Sequence, residues 1–253
     1  MPTTDNSRGR DMSAISTLRR QLAAALRLAE RFGLNEGVCN HFSVRLPGAE
    51  ERYLINPMGV HWSEITASRL LLCDGDGRIL EGQGTVEPTA LFIHTEGHRA
   101  RPDALCILHT HMLHATALTC VEGGELRFCH QNTLRFWNRV AYDDSYNGLA
   151  MDAAEGGRIS SGTQGKDIVF LAHHGVVVHG RSVAEAFHDL YFLERACQLQ
   201  VVAESTGRPL KDIPAAAAEH TARQFVELAA FEADYHFAAL ERVLLREAPD
   251  YVA

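Results

Sequence analysis

A chain of 253 residues that is 46% hydrophobic and 22% charged can bury a substantial core and reads as one soluble globular domain. Its formal charge of −8 offers no overall attraction to nucleic acid or to an anionic membrane surface, so neither is an expected partner. No apolar run reaches the ~18 residues a membrane helix needs, and the opening MPTTDNSRGRDMS has no apolar signal core, so the expected location is cytoplasmic.

Taken in chain order, residues 1–12 are expected to be a disordered leader, and residues 13–253 a single domain with a C-terminal helical extension. The spacing of apolar residues predicts a helix over 13–32, stopped by Gly33. VCNHFSVRLPG and RYLINPMG read as strands closed by turns, and SRLLLCDGDGRILEG as a hairpin with Asp74-Gly75-Asp76-Gly77 at its tip. A helix opens at Pro88, which suits a first-turn position, and runs to Ala100. ALCILHTH is a continuous apolar strand of the kind covered on both faces, followed by a short helix at ATALTC. AYDDSYNG reads as a loop, and KDIVFLAHHGVVVHG as two strands around a His-His-Gly turn. Ser182 is the predicted cap of a long helix, and a last helical region spans about 214–247. Mixed strands and helices without a repeat or a low-complexity linker point to one α/β domain.

Some chemistries are disfavoured by residue usage. Only Lys166 and Lys211 of the 24 basic residues are lysines, and both sit in turn-like contexts, which argues against an imine mechanism. The six cysteines form no CxxC pair and read as small buried hydrophobes in a reducing compartment.

The histidines carry the positive signal. On a strand, positions i and i+2 share a face, so His109 and His111 project together from the end of a buried strand. His173 and His174 stand where another apolar strand turns at Gly175. Three imidazoles with one open position would make a catalytic rather than a closed structural metal centre. Zinc, cobalt, nickel and manganese are not separable on this pattern.

HTH after an apolar strand, HHG some 65 residues later, and the ordered blocks NHFSVRLPG, INPMG, EPTALFIHTEGHRARPDALCILHTH, AYDDSYNG, FLAHHG and VAEAFHDLYFLERACQLQ together resemble the class II aldolase/adducin family, over roughly residues 17–200. The resemblance implies a three-layer α/β/α sandwich with a mixed central sheet, a homotetramer, and a divalent metal, zinc foremost, on His109, His111 and the histidine before Gly175. That histidine is His174. Relatives usually have Asn-His-Gly there, and His173 replaces the Asn, so His173 stays open as the alternative ligand.

The chain departs from the family's sugar-phosphate aldolases in two places. Their catalytic Glu would fall near Ala90, and the closest acid is Glu87; its alternative role is to favour the helix N-terminus it precedes. Their phosphate cradle is replaced by Asn40-His41, Met58-Gly59 and Pro88-Thr89, with fewer glycines and hydroxyls to wrap an anion. The expected activity is therefore that of a metal-dependent lyase, cleaving or decarboxylating a small non-phosphorylated hydroxy-carbonyl or hydroxy-carboxylate compound through a chelated enediolate or carbanion. Glu87 and Tyr142, with Tyr146 as the other tyrosine of that segment, are the candidate proton-transfer groups. Asn40, His41, Gly59 and His130 are the candidate substrate contacts, and His61, Arg45 and Arg135 the further candidates for holding a carboxylate. The alternative is a non-enzymatic adducin-head-like module binding cytoskeletal or actin-type partners, which the displaced Glu favours.

Overall fold

The computed structural model describes residues 5–48, 50–162 and 165–253. Helix α1 (Asp5–Arg31) starts among Asp5, Asn6 and Ser7, residue types that favour helix N-termini, so residues 5–12 of the expected leader are helical and residues 1–4 lie outside the described residues. Eight strands follow: β1 (His41–Arg45), β2 (Arg52–Ile55), β3 (Leu71–Asp74), β4 (Ile79–Glu81), β5 (Cys106–Thr110), β6 (Val140–Asp143), β7 (Ile168–Leu171) and β8 (Gly175–Gly180). They form one sheet in the order β4-β3-β2-β1-β5-β8-β7-β6. All neighbours are antiparallel except β6 and β7, so the sheet is mixed.

Helix α2 (Pro88–Ala100) begins and ends where its sequence predicts. The others are α3 (Leu113–Thr119), α4 (Ala153–Ser161), α5 (Val183–Glu204) and α6 (Ala215–Glu247). Ser182 caps α5 by accepting the Glu185 N–H. Alternation along the strands divides them between two layers of helices. Ile107, Val169 and Val177 bury against Ile93 of α2 and Ile159 of α4. Cys106, Leu108, Val176 and Val178 point the other way, into the larger core with Leu22 and Leu26 of α1 and Phe187 and Leu190 of α5. Each such buried Leu or Phe contributes about 1.5–3 kcal/mol. The result is the expected α/β/α arrangement.

Two elements differ from expectation. The predicted AYDDSYNG loop opens with β6, which pairs in parallel with β7 from Val140↔Ile168 to Asp143↔Leu171. Its partner lies across the chain, so local pattern says little about it. Helix α4, AAEGGRISS, carries two glycines that weaken helix propensity. Asp152 offsets this by capping the Glu155 N–H, and Gly156 is required because a Cβ there would lie 2.6 Å from the Phe92 carbonyl oxygen of α2. Close helix packing, not local preference, selects that residue. Among the described residues no helix is long and apolar enough to cross a membrane. The cysteines are only partly as expected: Cys73, Cys106 and Cys197 are buried, whereas Cys39 and Cys120 are exposed.

Candidate metal centre

The register of β1 on β5 sets His41 opposite His109, so both imidazoles rise from one sheet face, with ring centroids 4.8 Å apart. His111 lies just past the end of β5, and His174 just before β8. Gly175 makes this junction possible, since a Cβ would lie 2.5 Å from the Thr110 carbonyl oxygen and 2.9 Å from the His111 ring. The ring of His174 is 4.7 Å from that of His109 and 4.8 Å from that of His111. One ligand-type nitrogen from each of the three lies within 4.8 Å of the others. His173 is exposed, has a left-handed backbone (φ 57°), and turns its ring to Tyr146. The structure thus brings together His174, not His173, with the HTH pair.

Two of the three rings have a fixed proton. His109 Nδ1 donates to the Val176 carbonyl at 3.0 Å, and His111 Nδ1 donates to the Glu36 carboxylate at 2.7 Å. With Nδ1 as the donor, Nε2 of each ring carries the lone pair in the neutral form, and these two nitrogens stand 3.2 Å apart. Two nitrogens sharing a tetrahedral ion at about 2.0–2.1 Å are separated by about 3.3 Å, so the donor set fits a divalent metal. Burial, then the neighbouring imidazoles, holds His109 well below the ordinary histidine range, and burial followed by His111 lowers His174 to about 4. Both rings are therefore neutral and available as ligands at pH 7.

Glu36 is a residue that the sequence pattern did not mark. It lies on the loop after α1, and Asn40 pins that loop, its Oδ1 accepting the Glu36 N–H at 2.6 Å. Asn40 is thus committed through its oxygen to positioning, while its buried Nδ2 has no partner among the described residues. Partners of metal-bound histidines orient the ring and raise its basicity. Glu36→Ala is expected to weaken divalent-metal binding about 10–100-fold, measured by competition with a chromophoric chelator.

Glu87 is the N-cap of α2, its carboxylate accepting the Ala90 N–H at 2.8 Å and the Thr89 hydroxyl. The structural role weighed for it is therefore present. The same Oε2 is 4.0 Å from His41 Nε2, which keeps it beside the histidine cluster. Loss of the cap in Glu87→Ala is expected to lower stability by about 0.5–2 kcal/mol, read from urea unfolding midpoints.

The other candidates separate. A pocket of about 470 Å³ is lined by Glu36, His111, Leu113, Thr116, Ala117, Cys120, Tyr146, Gly148, Leu149, His173 and His174. Tyr146 is in it and Tyr142 is not. The Tyr142 hydroxyl accepts the Leu126 N–H at 2.9 Å, its ring stacks on Phe170, and burial pushes its pKa up to about 12. Gly59 is a left-handed turn residue (φ 75°) outside this lining, there because the turn requires that backbone. His130 also lies outside it, preceding a 3-10 turn (Gln131–Phe136) that packs against α6. Arg135 in that turn is sandwiched between Phe192 and Phe225 and paired with Glu232. His61 caps its own turn at Ser63, and Arg45 donates to the Pro102 carbonyl. For Tyr142, Arg135 and Arg45 sequence spacing does not show this, because the deciding contacts come from residues distant in the chain, whereas Gly59 and His61 are held by local turns.

Residues 20–201 match the family described as Class II Aldolase and Adducin N-terminal domain. The chain belongs to the class II aldolase and adducin family. An aldolase II superfamily protein of Pseudomonas syringae, known from its crystal structure, is 34% identical and superposes with a TM-score of 0.88 over 94% of this chain and 96% of that one. Decarboxylase NovR of Streptomyces niveus is 32% identical over 204 residues, 80% of this chain and 75% of its own length. Alpha-adducin of Rattus norvegicus is 35% identical over 188 residues, 73% of this chain and 25% of its own length. Class II aldolases generally depend on a divalent metal, which agrees with the three-histidine cluster of this family member.

Proposed function

We propose that this chain is a divalent metal-dependent lyase, with zinc on His109, His111 and His174, acting by aldol cleavage or decarboxylation on a small non-phosphorylated hydroxy-carbonyl or hydroxy-carboxylate compound. The observation that carries the proposal is the pair of Nε2 lone pairs 3.2 Å apart, each fixed by a separate Nδ1 hydrogen bond, with His174 beside them. When bound, such an ion supplies Lewis-acid stabilisation of charge developing on chelated substrate oxygens. The protein's own contribution is orientation, exclusion of water and proton transfer.

The lining of the pocket supports the substrate class. None of its described lining residues is Lys or Arg, and Leu113, Ala117 and Leu149 give it an apolar wall. A compound with a polar chelating end and an apolar body suits such a wall. Tyr146 takes the place of Tyr142 as the tyrosine positioned for proton transfer within the pocket, and Glu87 is the carboxylate beside His41. The long α6 exposes Val226, Leu228, Phe231 and Tyr235, which supports a homo-oligomer, with a tetramer as the family-like form.

The test is metal analysis of the purified protein, followed by a lyase screen over hydroxy acids, hydroxyketones and dihydroxylated aromatic acids, with and without chelator. About one zinc per chain and chelator-sensitive turnover are expected. Protein that takes up no zinc and turns over none of these compounds would end the proposal. In an active preparation Glu87→Gln is expected to keep its metal and lose turnover; undiminished turnover would remove Glu87 from the mechanism.

A further inference from the structure

Behind His109, between β1, β5 and α2, four side chains form a hydrogen-bond chain that runs one way. His98 Nδ1 lies 3.2 Å from the Ala104 carbonyl oxygen. A carbonyl only accepts, so this nitrogen carries the proton and His98 Nε2 holds a lone pair. The Ser43 hydroxyl, 2.8 Å from that lone pair, donates to it its one proton. Ser43 Oγ is left to accept, and His94 Nδ1 donates to it at 2.5 Å. His94 Nε2 is then the acceptor for His41 Nδ1–H, 2.8 Å away. This direction holds for neutral rings, and burial lowers His94 well below the ordinary range and His98 to about 3.

The last nitrogen in the chain is His41 Nε2. Among the described residues it has no hydrogen-bond partner, and the His41 side chain is only 3% exposed. It stands 4.0 Å from Glu87 Oε2, too far for a direct hydrogen bond. Two acceptor atoms therefore face each other beside His109. A group placed between them has to donate.

We propose that His98, Ser43 and His94 are positioning residues that lock His41 in its Nδ1–H form, so that His41 Nε2 and the Glu87 carboxylate select a substrate hydroxyl at that point. The hydroxyl part rests on the lyase reading; the tautomer chain does not. An ionised phosphate or carboxylate oxygen brings no proton and meets two lone-pair donors there, whereas an O–H satisfies one of them directly. The sequence shows His94 and His98 only as polar positions on a helix; the register of β1 against β5 and the packing of α2 join them to His41.

The test uses full-length protein labelled with ¹⁵N-histidine, with two-bond ¹H–¹⁵N correlations assigned by single His→Gln variants. His41, His94 and His98 are all expected as Nδ1–H tautomers. Ser43→Ala is expected to leave His98 unchanged, held by Ala104, while His94 and His41 become tautomer mixtures; Ser43→Thr, which keeps the hydroxyl, restores the pattern. An Nε2–H or doubly protonated His41 in the unsubstituted protein, or a His41 tautomer indifferent to Ser43→Ala, would overturn the chain. In zinc-loaded protein, glycolate, which carries a hydroxyl, is expected to shift the His41 Nε2 resonance, and acetate is not; equal effects of the two would overturn the hydroxyl selection. A protein that binds no zinc yet shows the three tautomers would sink the lyase reading alone.

Discussion

His111→Ala is expected to lower zinc affinity by more than about a hundredfold and to abolish turnover with it, while the fold persists. His111 is the informative ligand because it lies beyond the end of β5 and is only half-buried, so its removal leaves the sheet intact. His109 is a poorer test: it is fully enclosed within β5, and truncating it would leave a cavity and strip the Val176 carbonyl of its donor. The measurement is zinc content after dialysis against a competing chelator, alongside thermal unfolding of the metal-free protein. His111→Ala protein that retains stoichiometric zinc would mean that the three imidazoles do not share an ion.

The second large effect is acid unfolding between about pH 6.5 and pH 4. Burial lowers His98 to about 3, His179 to about 4 and His188 to about 3. For His188 the neighbouring Arg135 adds to burial, and for His179 Arg101 does. In the unfolded chain these rings titrate near 6.5. Below that pH the unfolded state binds protons that the folded state refuses, so stability falls as pH falls and is fully present only above about 6.5. Each ring removes about 1.4 kcal/mol per pH unit within this window, roughly 4 kcal/mol per unit for three. Against a total of about 5–15 kcal/mol, the roughly 8 kcal/mol lost by pH 4.5 removes the whole margin of a protein in the lower half of that range. Urea unfolding of metal-free protein across pH 7.5 to 4.5 reads the slope, and a flat profile would contradict the neutral burial of these rings.

Much of the architecture was legible along the chain. The α2 boundaries, the two strands around His-His-Gly and the Ser182 cap follow from local signals, because Pro at a first turn, β-branched runs and a Ser at a helix start act within a few residues. Helix α4 and strand β6 were not legible, because Gly156 is chosen by the Phe92 carbonyl and β6 by a parallel partner some 28 residues away. The site divides in the same way. HTH and HHG stand out as candidate ligands by their place at strand ends. Glu36 carries no motif, and its role appears only when the loop after α1 reaches His111.

The amino-acid sequence by itself determined the family, the α/β class and the two histidine motifs HTH and HHG as candidate ligands, since these depend on residue type at spacings that backbone geometry fixes. Tertiary structure alone decided that His174 rather than His173 joins them, that Tyr146 rather than Tyr142 faces the pocket, and that His41 ends a chain reaching back to Ala104. The physical reason is register. A one-residue slip of β1 against β5 would turn His41 to the opposite face of the sheet, and what holds the register is the burial of both faces, which no short stretch of sequence contains.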